Sequence, residues 1–435
     1  MDIDFSKFKL GIPIREFVII SIFSLASIIF NFGVFDQDST QYIYMALHFI
    51  NHPPYEFIFL FLHIAILTTF VRLIRPLVPF LAGWQNNFFY LGNIPAFSFS
   101  TGLWQLPFGI VNGLFSFFAS IILYKLVYHL TENSEKSIIA VVLFNFCDIM
   151  FFNSMILIEG ATLFFSILLV YLIICKPYEE SYINSLILGI TIGLAGLTRE
   201  TLLLTGAILF LGYSIYKIKD LLDFSNFKKF LLSGLVAVAI YGSYILILGL
   251  NTFFTCLYIF FNLNLSNLIT FFIPQSIFSK IPTALIGFGR SMINIFRYLV
   301  VFFILGLISI YISKKSKNEK ILITIFLLSF FLPLLFSPFI VERFLFPFYL
   351  VSIYICVEGI YSIEKNKIWT YSVVITIAIL NLIFVIFFYP YTIVQQLTEM
   401  KIRTFFYYLI FGYLLVIISI LLYKFIFIKN RKDLF

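Results

Sequence analysis

Two aspartates one residue apart stand in the segment Phe35-Asp36-Gln37-Asp38-Ser39-Thr40-Gln41-Tyr42, just beyond the first long apolar run. In a chain that is 61% hydrophobic and 11% charged, such a pair is chemically conspicuous. Carboxylates are expensive near hydrocarbon, so ionisable groups at a membrane boundary point to a functional site. A partly desolvated carboxylate beside a second one holds its proton more tightly, which suits a proton acceptor, and two together can also hold Mg²⁺ or Mn²⁺. Asp38 is equally of the type that caps a helix. Asp38, Tyr42, Met45, Ala46 and Phe49 recur at helical spacing, so an amphipathic surface helix is expected from Asp38, followed by Asn51-His52-Pro53-Pro54-Tyr55. A cap accounts for one carboxylate and leaves the other unexplained.

The elements that must carry these residues are dictated by apolarity. The chain has 435 residues, with 59 Phe and 26 Tyr, and a mean hydropathy of +1.04. Continuous apolar runs of about 20 residues recur along it, as bilayer-spanning helices require. Their continuity excludes a strand barrel, which would alternate. The expected fold is therefore an all-α polytopic membrane protein of about 11 to 14 transmembrane helices. Expected spans lie near 14–35, 56–73, 83–104, 106–130, 137–153, 156–175, 184–198, 201–216, 230–250, 290–313, 321–341, 344–362, 368–389 and 405–428. The span at 83–104 carries Asn86, Asn87, Asn93 and Pro95, so a re-entrant segment is the alternative there. The first run follows Lys7, Lys9, Arg15 and Glu16 without a small-residue cleavage site, so it reads as a retained helix. The four cysteines, Cys147, Cys175, Cys256 and Cys356, are scattered in apolar surroundings and read as packing residues. A net charge of +8 bears on topology here and predicts no nucleic-acid partner.

With a cytoplasmic amino terminus and every span crossing, the inner loops collect most of the 29 Lys and Arg residues, as the positive-inside bias requires. The polar residues left over, Asp36, Asp38, Glu159, Arg199, Glu200, Arg290, Arg297, Glu342 and Arg343, then all fall at or near the outer face of the plasma membrane. Ionisable groups of both signs converging at one depth suggest a site. Within Gly196-Leu197-Thr198-Arg199-Glu200-Thr201 a helical hairpin is expected to turn, leaving Arg199 at the interface; a guanidinium there suits a phosphate, or closes an ion pair with Glu200. Glu159 opens a helix, where an acid is also favoured by the helix dipole. Of the histidines, His48, His52, His63 and His129, only His52 lies beside the aspartate loop, and none has metal spacing. Asn264-Leu265-Ser266 is a glycosylation sequon on an expected outer loop of about 251–289. The chain divides near residue 230 into a module of 1–230 that carries the loop 36–55 and a second transmembrane half, 231–435, with no soluble domain expected.

Taken together, these residues resemble the GT-C superfamily of integral-membrane glycosyltransferases, in its mannosyltransferase- and aminoarabinose-transferase-like branch. The family's acidic-x-x-x-Tyr-x-x-x-Ala loop is similar to Asp38-Ser39-Thr40-Gln41-Tyr42-Ile43-Tyr44-Met45-Ala46, with Asp36 as second acid. His52-Pro53-Pro54-Tyr55 looks like its Pro-Pro-Leu-Tyr lead into the second helix. Glu159-Gly160-Ala161 resembles its mid-chain Glu-Ala helix start, Gly193–Thr201 its "GLA-x-LTR" hairpin, and Arg343-Phe344-Leu345-Phe346-Pro347 its late "RY-x-x-P" helix. No Trp-Trp-Asp motif occurs, which separates the chain from the oligosaccharyltransferases.

The resemblance implies a GT-C fold and transfer of a sugar from a polyprenyl- or dolichyl-phosphate donor to a hydroxyl of a glycan, lipid or protein acceptor, with inversion. It implies Asp38 as general base and Asp36 as its helper or metal partner, with Mg²⁺ or Mn²⁺ the candidate ion. Arg199, Arg343, Arg290 and Arg297 would stabilise the lipid-phosphate leaving group, with Tyr42, Glu159, Glu200 and His52 in support. The competing readings are a transporter or flippase of lipid-linked intermediates, which predicts polar groups at several depths, and a non-catalytic assembly protein.

Overall fold

The computed structural model describes residues 12–30, 66, 106–146, 159–248, 299–312, 317–336, 346–363 and 366–393. Helix covers 92% of the described residues and no strand occurs among them, so the all-α expectation holds there. The helices are α1 (Ile14–Phe30), α2 (Leu106–Thr131), α3 (Ser134–Asn145), α4 (Glu159–Cys175), α5 (Tyr182–Thr198), α6 (Glu200–Tyr216), α7 (Ile218–Leu221), α8 (Phe224–Leu248), α9 (Val300–Ile312), α10 (Lys317–Phe336), α11 (Phe346–Ile363) and α12 (Lys367–Ile393). Two stretches, Val111–Thr131 and Phe224–Leu246, are long and apolar enough to cross a membrane.

Local chemistry sets the turns. α2 ends where Glu132 takes a left-handed φ of 52° and its amide closes on the Tyr128 carbonyl at 2.7 Å. Asn133 then starts α3, its Oδ1 accepting from the amides of Glu135 and Lys136 at 2.9 and 3.2 Å, as a good N-cap does. Ser181 does the same for α5, accepting from the Asn184 amide at 3.0 Å.

Contacts between helices fix their directions. α1 runs against α2: Ile20 packs with Ile121 and Tyr124, while Ser24 meets Ser120 a turn further back along α2. α4 begins beside the start of α2, since a Cβ on Gly160 would lie 3.2 Å from Asn112 Oδ1, and the two helices run the same way. α5 and α8 are also parallel. Gly189 faces Ser233 and Gly193 faces Ile240, and Ser233 Oγ bonds the Ser185 carbonyl across the pair at 2.9 Å. α9 and α11 form a third parallel pair through Gly306 and Gly359, each lying against the other helix's backbone. One continuous apolar core links α2, α3, α4, α5, α6, α8, α9, α10, α11 and α12.

These directions sort the charges. Arg15 and every described lysine fall within about two turns of one end of the bundle, here called the basic end. α5, with 17 residues, carries the chain about 25 Å away from that end to Arg199, which belongs to the opposite end. The outer surface between the ends is apolar: Leu231, Leu235 and Val238 form one uncovered face of α8.

Candidate functional site

Arg199 is the one proposed site residue whose side chain the structure describes. α5 stops at Thr198, Arg199 is extended (φ −160°, ψ 131°), and α6 starts at Glu200. The hairpin expected from the Thr198-Arg199-Glu200 sequence is therefore present, turned by a single non-helical residue. Its amide is held by the Ala195 carbonyl at 2.9 Å and its carbonyl by the Leu202 amide at 2.9 Å, so the backbone position is fixed from both helices. Arg199 is only 7% exposed. A guanidinium placed in that way is permanently charged and presents a planar fork suited to two oxygens of a phosphate or carboxylate.

Glu159 and Glu200 open α4 and α6 at the same end, where the dipole of each helix favours an acid. The carboxy terminus of α1, at Phe30, lies there too, since α1 runs against α2. The chain leaving it reaches Asp36 and Asp38 within eight residues. Asp36, Asp38, Tyr42, His52, Arg290, Arg297 and Arg343, together with the side chains of Glu159 and Glu200, lie outside the described residues. No group of three or more His, Cys, Asp or Glu residues able to hold a metal occurs among the described residues. The expected Mg²⁺ or Mn²⁺ concerns Asp36 and Asp38 alone.

Two polar features escaped sequence reading. The first is a buried seam. Asn112, Ser116, Ser120 and Tyr124 follow at every fourth position of α2 and are all buried. Ser120 accepts from Asn145 Nδ2 of α3 at 3.0 Å and meets Ser24 Oγ of α1 at 3.3 Å. The signal was the i+4 repeat, hidden among apolar neighbours. Ser120 Oγ also donates to the Ser116 carbonyl at 2.9 Å, a habit of small polar residues in packed apolar helices, while Ser116 Oγ and the Tyr124 hydroxyl are buried without a hydrogen-bond partner among the described residues.

The second is a pair of charged clusters at the basic end. In one, Lys136 of α3 meets Glu358 of α11 at 2.8 Å and lies 5.0 Å from the centre of the Tyr361 ring, while Lys367 of α12 meets Glu135 at 3.2 Å. In the other, the loop between α4 and α5 tucks Tyr178 under α6, where its hydroxyl meets Ser214 Oγ at 3.2 Å, and Lys229 bonds the Glu179 carbonyl. Burial pushes the Tyr178 phenol up to about 12.

Burial likewise raises the Glu179 carboxyl above its ordinary range; its own backbone hydrogen bond, Lys217 and the Tyr213 hydroxyl pull it back without cancelling the effect. A raised folded-state value means the proton stabilises the fold. That contribution is complete at pH below the ordinary carboxyl value and is lost as pH rises through the shifted one. Glu179→Gln is therefore expected to raise the thermal midpoint at pH 7 and to leave it unchanged near pH 4. Equal midpoints at both pH values would remove the burial argument.

No protein-family model matches the chain, and no curated protein matches its sequence significantly.

Proposed function

We propose that this chain is a multi-pass membrane glycosyltransferase that takes a sugar from a polyprenyl-phosphate donor at the outer face of the membrane. The observation that carries the reading is the division of charge between the two ends of the bundle. The described lysines and Arg15 gather at one end, as the charges of cytoplasmic loops do. Arg199, the first residues of α4 and α6, and the exit of α1 toward Asp36 and Asp38 share the other. A helix such as α8, apolar and uncovered along one face, is stable against lipid and exposed to a penalty against water.

In the proposed reaction the acceptor hydroxyl attacks the anomeric carbon from the face opposite the phosphate. A new C–O bond forms, the bond to the phosphate oxygen breaks, and the hydroxyl proton passes to Asp38. The polyprenyl phosphate leaves as an anion. Arg199 supplies fixed positive charge where that anion develops, and electrostatic preorganisation of this kind is commonly the largest catalytic contribution. Arg290, Arg297 and Arg343 are proposed to share the task, and Asp36 to orient the acceptor. Tyr42, Glu159, Glu200 and His52 complete the proposed site.

The buried seam of α2 is the observation that speaks for a transporter, because it sets polar groups at several depths. Its central hydroxyl, Ser120 Oγ, bonds its own helix at the Ser116 carbonyl and packs against Asn145 and Ser24 of two neighbouring helices, which favours packing over a conduit. Comparison of lipid-linked and protein-linked glycans between a strain lacking the chain and its parent separates the readings. A transferase leaves one acceptor short of a sugar and its donor in excess on the outer leaflet. Unchanged glycans, or a complete intermediate stranded on the inner leaflet, would overturn the proposal.

A further inference from the structure

At the basic end, four helices converge on an open cavity of about 780 Å³. Asn133, Glu135 and Lys136 line it from the start of α3, Ser309 from the end of α9, Glu358 and Tyr361 from the end of α11, and Lys367 from the start of α12. The wall carries two carboxylates and two lysines, paired as Glu358 with Lys136 and Glu135 with Lys367, so the helix ends tip the balance. Both helix amino termini that reach it are closed by asparagines: Asn133 takes the amides of Glu135 and Lys136, and Asn366 takes that of Ile368 at 3.0 Å. Neither is left to hold an anion. By contrast, α9 and α11 both end here, and the last carbonyls of a helix lack partners within it and carry its negative pole. Two carboxylates add to them. Lys136 is committed to Glu358.

The wall therefore favours a cation with N–H groups, and it already attracts lysine ammoniums. Lys320 reaches over to the Tyr311 carbonyl at the end of α9, at 2.8 Å. Lys367 sits on Glu135 at 3.2 Å, although its side chain is 73% exposed. So exposed an ion pair contributes little, and its ammonium is a loosely tethered occupant of the Glu135 position. The phenols of Tyr361 and Tyr371 flank the same carboxylate.

The rim identifies the source of the cation. Lys367, Tyr371, Ile375 and Ile379 follow at every fourth position of α12 and so share one helix face. Tyr371, Ile375 and Ile379 are all exposed. An apolar stripe thus rises from the mouth of the cavity into the region read above as hydrocarbon.

We propose that this cavity binds the primary ammonium of an aminophospholipid, with the headgroup at Glu135 and an acyl chain along the α12 stripe. The proposal rests on the membrane reading and is independent of the transferase reading. The full-length protein, purified in micelles containing equal amounts of phosphatidylethanolamine and phosphatidylcholine of identical acyl chains, is examined by native mass spectrometry.

Phosphatidylethanolamine should be retained over phosphatidylcholine by about tenfold, the difference one charge-assisted hydrogen bond makes. Glu135→Gln should bring the two lipids level. Lys367→Met should keep or increase the preference, because the competing ammonium is gone. If Glu135→Gln does not fold, Ser309→Trp, which fills the cavity from another helix, carries the same test. Equal retention of both lipids by the unaltered protein overturns the proposal, as does an unchanged preference in Glu135→Gln or Ser309→Trp. Loss of binding in Lys367→Met overturns it in favour of a phosphate site. Thermal stabilisation by free ethanolamine, with no lipid preference, would keep the ammonium site and reject the lipid.

Discussion

Asp38→Asn is expected to reduce sugar transfer by about two to four powers of ten, the usual contribution of a positioned general base, while leaving the protein at its normal level in the membrane. The substitution keeps the size of the side chain and its ability to cap a helix, so it separates the two roles the residue could have. Asparagine caps as well as aspartate does, but it cannot accept the acceptor's proton. If the residue only starts a helix, transfer and thermal stability both stay as they were. If it is the base, transfer falls and stability does not. The assay is incorporation of labelled sugar from membranes into lipid- and protein-linked glycans. Full transfer by Asp38→Asn would sink the base assignment whatever else the site contains. Asp36→Asn provides the comparison: a helper that orients the acceptor should be worth less than the base.

The second large effect is structural. Gly306 and Gly359 let α9 and α11 touch backbone to backbone. A Cβ on Gly359 would land on the Phe302 carbonyl oxygen and, on Gly306, on the Ile355 carbonyl oxygen. Unlike the far end of a side chain, a helix backbone cannot turn aside, so the helices must separate along their whole contact. Overpacking of cores generally costs about 1–3 kcal/mol, and this site lies at the upper end because the clash is with backbone. Gly359→Ala is thus expected to lower the thermal midpoint of the detergent-purified protein clearly, and Gly306→Ala to do the same. The double substitution should add little to either, since one separation relieves both clashes. An unchanged midpoint in Gly359→Ala would mean that the two helices do not meet at these glycines.

What could be read from the sequence was local. The Thr198-Arg199-Glu200 break was legible because an Arg-Glu pair cannot lie inside a long apolar helix without a reason, and the structure turns there. The gathering of lysines was legible because the charges lie at the boundaries of apolar runs, and parity alone decides which boundaries share an end. Partners were not legible. Nothing near Lys136 in sequence announces Glu358, which is 222 positions away. The parallel pairings of α5 with α8 and α9 with α11 depend on small residues meeting across gaps, and glycine in an apolar run carries no address. Nothing in the sequence separates Glu179 from Glu180, yet folding half-buries the first and leaves the second exposed.

The parallel contact between α5 and α8 sets a timetable for biosynthesis. Helices that are neighbours in sequence can zip together as they emerge, whereas α5 must wait until α6 and α7 have been made and α8 has followed. At ordinary ribosomal speeds the stretch from Thr198 to Leu248 takes roughly three to ten seconds. Throughout that interval the groove at Gly189 and Gly193 stands open, shaped for a helix that does not yet exist. A newborn chain is thus open to a wrong partner between the synthesis of α5 and that of α8, the interval in which a chaperone would have its task.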